Sequence, residues 1–309
     1  MWTKIADKIS TITGQKFEVK QRHSIGGGCI NQGYSISDNN CTYFIKLNQA
    51  SGIDMFEAEA LGLQQMWDTQ TIRIPKPICW GIADSSAYLV LEWLELGRNA
   101  NPNAWLEMGR QLAAMHRCSP PNPPNLGGEE KQPPNLGKEE KGLFGWERNN
   151  TIGSTPQINT WTSDWAEFFT EHRIGYQLKL AKRRGGSFSQ GERLLKAIPE
   201  LLAGYQPQPS LVHGDLWSGN ASITASGEPA IFDPAAYYGD REVDIAMTEL
   251  FGGFPAAFYR GYNEAWPLDS GYDRRKTLYN LYHILNHFNL FGGSYGSQAN
   301  RMIEEILER

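Results

Sequence analysis

The alternation of hydrophobic and polar residues along the first ninety positions predicts a small α+β unit. Extended runs occupy 17–25, 30–36 and 42–47. Three glycines, 26–28, separate the first two runs and mark a turn. Residues 55–67 have helical spacing, with one apolar stripe formed by Phe56, Ala60, Leu63 and Trp67. A short buried strand over 87–94 completes the order strand, glycine turn, strand, strand, helix, strand.

The rest of the chain is predicted to be mainly helical. Helical patterns cover 104–116, 161–180, 191–202, 243–251 and 272–290. Two short extended pieces, 211–212 and 230–232, lie between them. The pattern changes at Leu96-Gly97, which predicts an N-terminal lobe over 1–96 and a C-terminal lobe over 97–309.

One segment of the second lobe has a different composition. Residues 122–141 are a tandem decapeptide, NPPNLGGEEK followed by QPPNLGKEEK, rich in Pro, Gly and Glu. Such a composition does not supply enough apolar surface to pack a core. The repeat therefore predicts a surface insertion without chemistry of its own.

Composition and charge narrow the class of protein. The chain has 309 residues, of which 40% are hydrophobic, and its formal net charge is −5. A mildly acidic chain argues against a nucleic-acid or anionic-membrane partner, because those partners select basic surfaces. Four scattered cysteines without a CxxC pair argue against a zinc site or a disulfide framework. The polar N-terminus and the lack of a long apolar run predict a cytoplasmic protein without a membrane span.

The strongest chemical signal is the sequence HGDLWSGN at 213–220, followed by an aspartate at 233. Phosphoryl transfer to a hydroxyl needs a carboxylate that orients the hydroxyl and takes its proton, and oxygen ligands for Mg²⁺. Asp215 can supply the carboxylate. Asn220 and Asp233 can supply two hard oxygen ligands, which suffice because Mg²⁺ keeps waters and phosphate oxygens. The spacing predicts a kinase-type catalytic loop.

The first lobe carries the complementary cation. Lys46 ends the third predicted strand, and Glu57 and Glu59 lie on the helix that follows. Glu59 is the preferred partner, because it borders the apolar stripe of the helix. Glu57 points about 160° away from it at ~100° per residue, so the two cannot both serve.

Two further stretches are predicted to contact a nucleotide. A flexible turn whose backbone amides can approach phosphates is formed by Gly26, Gly27 and Gly28. This turn lacks the GxGxxG pattern of protein kinases. It is predicted to contact phosphates because of its position in the first hairpin, upstream of Lys46. The backbone of the inter-lobe strand is predicted to meet the adenine edge at Glu92, Trp93 and Leu94.

Four motifs together resemble the fructosamine-3-kinase (ketosamine-3-kinase) family over essentially the whole chain. They are HGDLWSGN, FDPAAYYGDREVDIAMTELFGGF, FGWERNNTIGSTPQ at 144–157 and LNHFNLFG at 285–292. The wider relatives are aminoglycoside phosphotransferases and choline kinases. The resemblance implies a two-lobed, protein-kinase-like α+β fold with a mainly β N-lobe and a mainly helical C-lobe. It also implies ATP- and Mg²⁺-dependent phosphorylation of a ketosamine's C3 hydroxyl, after which the amine is released. The decapeptide repeat departs from the family pattern.

Carried over by position, the resemblance assigns roles to five residues. Asp215 resembles the catalytic base. Asn220 and Asp233 resemble the metal ligands. Lys46 resembles the lysine that contacts the ATP phosphates, with Glu59 as its helix partner.

The neighbouring residues receive supporting roles. His213 and Asp244 are expected to brace the catalytic loop, and Trp217 to stack on the sugar or the amine. Cys29 resembles a loop cysteine that family members use for redox control through an intersubunit disulfide, which leaves a homodimer open. His287 lies on an uncharged polar stripe of the helix over 278–290 and is a candidate pocket residue. The alternative for Cys29 is that the loop needs a small side chain at this position. The alternative for His287 is that it makes buried hydrogen bonds.

Two other interpretations stay open. One is a kinase for another small alcohol, such as an aminoglycoside or choline, and the other is a nucleotide-binding pseudokinase. The residues leave the preferred sugar open among fructosyl, ribulosyl and erythrulosyl, and the resemblance to bacterial family members, which often favour the shorter sugars, inclines toward ribulosyl and erythrulosyl. His116, at the end of its helix, is interpreted as a C-terminal helix cap.

Overall fold

A five-stranded antiparallel sheet forms the centre of the N-terminal lobe. The computed structural model describes residues 1–26, 30–97, 101–120 and 142–308. The lobe contains α1 Trp2–Thr13, β1 Gln21–Ile25, β2 Gln32–Ser37, β3 Thr42–Gln49, α2 Ile53–Asp68, β4 Pro77–Ala83 and β5 Ser86–Glu92. The strand order is β1-β2-β3-β5-β4.

The two faces of this sheet pack against different helices, and this places Lys46. On β3, Ile45 and Leu47 belong to the apolar cluster that includes Ile5 and Ile9 of α1. Because side chains alternate along a strand, Lys46 lies on the opposite face. Its register partner on β5, Leu89, belongs to the cluster under α2. Lys46 therefore points toward α2 and the second lobe.

The C-terminal lobe is mainly helical, with three two-stranded antiparallel sheets. Its helices are α3 Pro102–His116, α4 Trp165–Phe168, α5 Tyr176–Arg183, α6 Gly191–Leu201, α7 Glu242–Leu250, α8 Ala256–Ala265, α9 Tyr272–Phe291 and α10 Tyr295–Glu308. The strand pairs are β6 Asn150–Ile152 with β7 Thr155–Gln157, β8 Pro209–Val212 with β11 Tyr237–Asp240, and β9 Ala221–Ile223 with β10 Pro229–Ile231. One continuous apolar core joins this lobe to the α2 face of the N-terminal sheet.

Several predicted elements differ from the structure. The helix predicted over 161–180 begins at Trp165, because the Asp164 side chain caps it by accepting the Glu167 N–H at 2.8 Å. It is also interrupted by a π-helical segment, Phe169–Gly175. Strand β4 was not predicted, because Pro77 suggested a break. Pro77 begins an edge strand, where the lack of an N–H is tolerated. Helices α8 and α10 were also not predicted.

The lobes also contact each other through the backbone. The N–H of Ile231 donates to the carbonyl of Arg73, which follows α2, at 3.1 Å. The N–H of Ala225 donates to the carbonyl of Glu95 at 2.7 Å. The predicted insertion 122–141 lies outside the described residues. Among the described helices, none is long and apolar enough to cross a membrane.

Candidate active site

A tight loop after β8 carries the predicted catalytic residues. Gly214 has φ 79°, and a Cβ at this position would lie 2.2 Å from the Ala235 carbonyl oxygen. Only glycine allows this backbone conformation and this close approach. The loop therefore packs closely against the segment that follows Asp233. Asp233 also has a positive φ, of 59°.

Asp244 holds the start of this loop from α7. Its carboxylate accepts the backbone N–H of His213 at 2.7 Å and that of Gly214 at 2.8 Å. It also accepts a hydrogen bond from Nε2 of His116 at 3.0 Å. Burial raises the pKa of Asp244, but the hydrogen bonds from His116 and the backbone outweigh it and leave the pKa below its ordinary value. Asp244 is therefore a buried, charged brace, as the sequence predicted.

His116 has a different role from the one interpreted in the sequence. It is fully buried, and its Nδ1 lies 2.7 Å from the Tyr262 hydroxyl. Both ring nitrogens thus have partners other than the helix carbonyls. The interpretation as a helix cap is wrong, because the side chain turns inward to support Asp244.

His213 links the catalytic loop to the strand before Asp233. Its Nδ1 accepts the backbone N–H of Asp215 at 3.2 Å, and its Nε2 donates to the carbonyl of Phe232 at 2.9 Å. Burial lowers the pKa of His213. The neutral ring with its proton on Nε2 satisfies both contacts, so His213 fixes the spacing between Asp215 and Asp233.

Asp215 lies beside the two candidate metal ligands. The Asn220 amide donates to the Asp215 carbonyl at 2.8 Å and to its carboxylate at 3.3 Å. Burial, and then the nearby charge of Asp233, raise the pKa of Asp215 to about 7, while Asn220 opposes this shift. A carboxylate with a pKa near neutrality is suited to accept a proton from a hydroxyl.

Lys46 joins the two lobes through two carboxylates. Its Nζ lies 2.5 Å from Oε1 of Glu59 and 2.6 Å from Oδ1 of Asp233. Burial lowers the pKa of Lys46, but Asp233 and Glu59 outweigh it and raise the pKa above its ordinary value. Glu57 instead pairs with Arg148 at 3.2 Å at the surface. The structure thus brings Glu59, and not Glu57, to Lys46.

The oxygen atoms of Asn220 and Asp233 fit a magnesium ion. The Asn220 Nδ2 donates within the loop, and no described residue donates to its Oδ1. Lys46 contacts one oxygen of Asp233, whose side chain is 45% exposed. Among the described residues, no group of three or more His, Cys, Asp or Glu side chains is placed to hold a metal ion. Two hard oxygens in an open site suit Mg²⁺ that is completed by phosphates and water, rather than a structural metal.

The predicted nucleotide-contacting stretches are only partly described. Gly26 follows β1, whereas Gly27, Gly28 and Cys29 lie outside the described residues. Glu92 ends β5; its carboxylate pairs with Arg73, and its backbone N–H donates to the carbonyl of Lys76 at 2.9 Å. Trp93 and Leu94 follow the end of β5, and both have half-buried side chains.

Trp217 and His287 are joined by a residue that the sequence analysis missed. Trp217 is 38% exposed, and its ring lies edge-on to Phe251 at 6.3 Å between centroids. Phe251 in turn lies 4.9 Å from the His287 ring, which also contacts Tyr295 at 5.1 Å. These four residues form an aromatic wall beside the catalytic loop. Phe251 was present in the quoted motif, but nothing in its spacing indicated this contact.

The fold is that of protein-kinase-like enzymes. A choline kinase from Streptococcus pneumoniae superposes with a TM-score of 0.62 at 15% identity, covering 99% of each chain. At that identity the likeness concerns the fold alone, and it confirms the predicted fold class.

The chain belongs to the fructosamine kinase family, whose sequence profile matches residues 1–309. A Synechocystis protein assigned as a ketoamine kinase is 55% identical over 306 residues, covering 99% of this chain and 97% of the relative. The chloroplastic protein-ribulosamine 3-kinase of Arabidopsis thaliana is 42% identical over 298 residues, covering 95% and 85%. A solved structure from Haemophilus somnus, assigned as a fructosamine-3-kinase, has a TM-score of 0.87 at 31% identity, covering 99% and 98%. The predicted family is confirmed.

Proposed function

We propose that this chain is an ATP- and Mg²⁺-dependent ketosamine 3-kinase. The observation that carries the proposal is the convergence of the Asp215 carboxylate, Asn220, Asp233 and the buried Lys46 at one point between the lobes. Residues 1–96 serve as the ATP-binding lobe, and residues 97–309 as the catalytic and substrate-binding lobe.

In the proposed reaction, the oxygen of the sugar's C3 hydroxyl bonds to the γ-phosphorus of ATP, and Asp215 accepts the proton of that hydroxyl. The bond between that phosphorus and the β–γ bridging oxygen breaks, and ADP leaves. Lys46 provides a fixed positive charge for the phosphates, because Glu59 and Asp233 hold it in place. Asn220 and Asp233 would hold Mg²⁺, which supplies charge neutralisation on the phosphates when bound.

The aromatic wall supports a ketosamine as the acceptor. An exposed tryptophan on a catalytic loop offers a flat apolar surface to the carbon face of a sugar or to the chain of an amine. Trp217 follows Asp215 by two positions on the same loop, and its ring lies edge-on to Phe251. One relative, from Arabidopsis thaliana, is named a protein-ribulosamine 3-kinase, and this name supports a ribulosyl group as the sugar of this chain's acceptor.

The proposal is tested with ATP, Mg²⁺ and a panel of ribulosyl-lysine, erythrulosyl-lysine, fructosyl-lysine, choline and an aminoglycoside. We expect phosphate transfer to the ketosamines only, and none when EDTA replaces Mg²⁺. Transfer confined to choline or the aminoglycoside would keep the residue roles and refute the substrate. ATP binding without any transfer would refute the kinase and favour a pseudokinase.

A further inference from the structure

The segment 144–157 contacts the helix that carries Glu59. The indole Nε1–H of Trp146 donates to Oε1 of Gln65, on α2, at 2.8 Å. The Nε2–H of the same Gln65 donates to the Tyr238 hydroxyl at 3.0 Å. Trp146 is only 3% exposed. Both ends of the Gln65 amide are thus held by residues of the C-terminal lobe.

The same segment also holds the loop that follows Asp233. Nδ2 of Asn150 donates to the Ala236 carbonyl at 2.8 Å, and Nε2 of Gln157 donates to the Ala235 carbonyl at 3.0 Å. Gly145 and Tyr238 exchange two backbone hydrogen bonds, at 2.9 and 2.8 Å. Asn150 and Gln157 are both buried. Segment 144–157 therefore fixes residues 235–238 by side-chain and main-chain bonds.

Helix α2 and this loop are also in direct contact. A Cβ built on Gly62 of α2 would lie 3.1 Å from the Ala236 Cβ and 3.9 Å from the Trp146 ring. Glu59, Gly62 and Gln65 follow each other at intervals of three and so share one face of the helix. The face that is held by the C-terminal lobe is therefore the face that presents Glu59.

The ion pairs of Lys46 depend on the positions of both α2 and the loop that follows Asp233. Its two carboxylate partners come from α2 and from Asp233, at 2.5 and 2.6 Å. Direct contacts of this kind are lost when either element moves by about 1 Å, because hydrogen bonds weaken steeply beyond about 3.2 Å. Any element that joins α2 to the loop after Asp233 thus controls the position of the Lys46 ammonium.

We propose that segment 144–157 positions the Lys46–Glu59–Asp233 cluster, with Trp146 and Gln65 as its positioning residues. The segment holds α2 and residues 235–238 as one unit, so the ion pairs of Lys46 are already formed before a nucleotide binds. The phosphate-binding role of Lys46 rests on the proposed function.

The sharpest test replaces adjacent glutamines of α2. Gln65→Met removes both hydrogen bonds at nearly constant volume. Gln64→Met is the matched control, because among the described residues Gln64 donates only to Asp68, on its own helix. With ribulosyl-lysine as acceptor, Gln65→Met should lower kcat/KM for ATP about tenfold, since small misplacements of catalytic groups are costly. The KM for ribulosyl-lysine should stay within about twofold, and Gln64→Met should match the wild type.

A tryptophan pair gives an independent test. Trp146→Phe removes the indole N–H that Gln65 accepts. Trp161→Phe removes an indole N–H that has no partner among the described residues, although its ring stacks on Tyr238 at 6.1 Å. We expect only Trp146→Phe to lower kcat/KM for ATP. Because Trp146 and Gln65 act through one bond, the double variant should lose little more than Gln65→Met alone.

Binding of MgATP, measured by calorimetry on the full chain, separates the two proposals. If the wild type binds MgATP but phosphorylates no ketosamine, the proposed function fails, and the ATP affinities of the variants alone decide the positioning role. That role requires weaker MgATP binding by Gln65→Met than by Gln64→Met. Equal affinity and equal kcat/KM in these two variants, or an equal loss in Trp161→Phe, would overturn it. A lowered melting temperature with unchanged kinetics would also overturn it, by reducing the segment to a structural support.

Discussion

The carboxylate of Asp244 accepts the backbone N–H of His213 at 2.7 Å, across the gap between α7 and the catalytic loop. Together with its bonds from Gly214 and His116, this makes Asp244 the acceptor of three buried donors. The loop geometry around Asp215 thus depends on a residue that contacts no substrate in the proposed reaction.

Replacing Asp244 by asparagine should therefore affect both stability and turnover. The amide keeps one acceptor oxygen, so at least one buried donor loses its partner, which costs about 1–3 kcal/mol. We expect a lower free energy of unfolding in urea and a fall in kcat of about tenfold. Asp7→Asn, which changes an exposed carboxylate on α1, is the control. A kcat like that of the wild type would show that the loop keeps its geometry without this brace.

Glu59 and Glu57 form a matched pair for testing the lysine site. Glu59→Gln removes a charge at 2.5 Å from Lys46, whereas Glu57→Gln removes only a surface ion pair with Arg148. A surface pair is worth at most about 1 kcal/mol. We expect Glu59→Gln to lower kcat/KM for ATP about 10- to 100-fold and Glu57→Gln to change it less than about twofold. Similar losses in both variants would contradict the assignment of Glu59.

Asp215→Asn should separate chemistry from nucleotide binding. The amide cannot take the hydroxyl proton, so kcat should fall by about 10²–10⁴-fold. Lys46 still has Glu59 and Asp233 as partners, so the affinity for MgATP should stay within about threefold. Turnover by steady-state assay and affinity by calorimetry check the two halves. A variant with full turnover would remove Asp215 from the role of base.

Much of this site could be predicted from local sequence. The alternation along β3 and the stripe on α2 were enough to pair Lys46 with Glu59, because both periods are set by local backbone geometry. The loop 213–220 and Asp233 were predicted because their chemistry requires those residue types at that spacing. The order of elements predicted a small α+β lobe followed by a mainly helical lobe, and the resemblance to the fructosamine-3-kinase family supplied the protein-kinase-like fold.

The parts that the sequence missed depend on contacts between distant segments. His116 meets Asp244 across 128 positions, and Trp146 meets Gln65 across 81. Neither contact leaves a periodic signal. Strand β4 was hidden because Pro77 is a breaker in most strands but is tolerated at the sheet edge. These two contacts and the edge position of β4 are set by the tertiary structure, and patterns in a single sequence do not reveal them.

Trp217→Ala should weaken acceptor binding without affecting the nucleotide. The ring is 38% exposed, lies edge-on to Phe251 and covers Gly219, and it is not part of the buried core, so its removal leaves the core intact. We expect the KM for ribulosyl-lysine to rise about tenfold, as one lost aromatic contact is worth about 1.4 kcal/mol or more. The KM for ATP should not change, and Trp217→Phe should restore part of the loss. An unchanged KM for ribulosyl-lysine would place the acceptor elsewhere.

His283 makes the stability of the C-terminal lobe depend on pH. It is 3% exposed, and no described residue bonds its Nδ1. Burial chiefly, and then His287, lower the pKa of His283 to about 3, despite the opposing charge of Asp244. The unfolded chain keeps the ordinary value of about 6.5. Below that pH the unfolded state binds a proton that the folded state excludes.

The stability due to His283 should therefore fall as the pH decreases. The expected slope is about 1.4 kcal/mol per pH unit from a little below pH 6.5 down toward the folded pKa. His283→Gln is less stable at neutral pH but lacks this group, so its free energy of unfolding should fall less steeply over that interval. Urea unfolding at several pH values measures both slopes. If they were equal, His283 would be taking up a proton in the folded protein, and a buried neutral ring would be refuted.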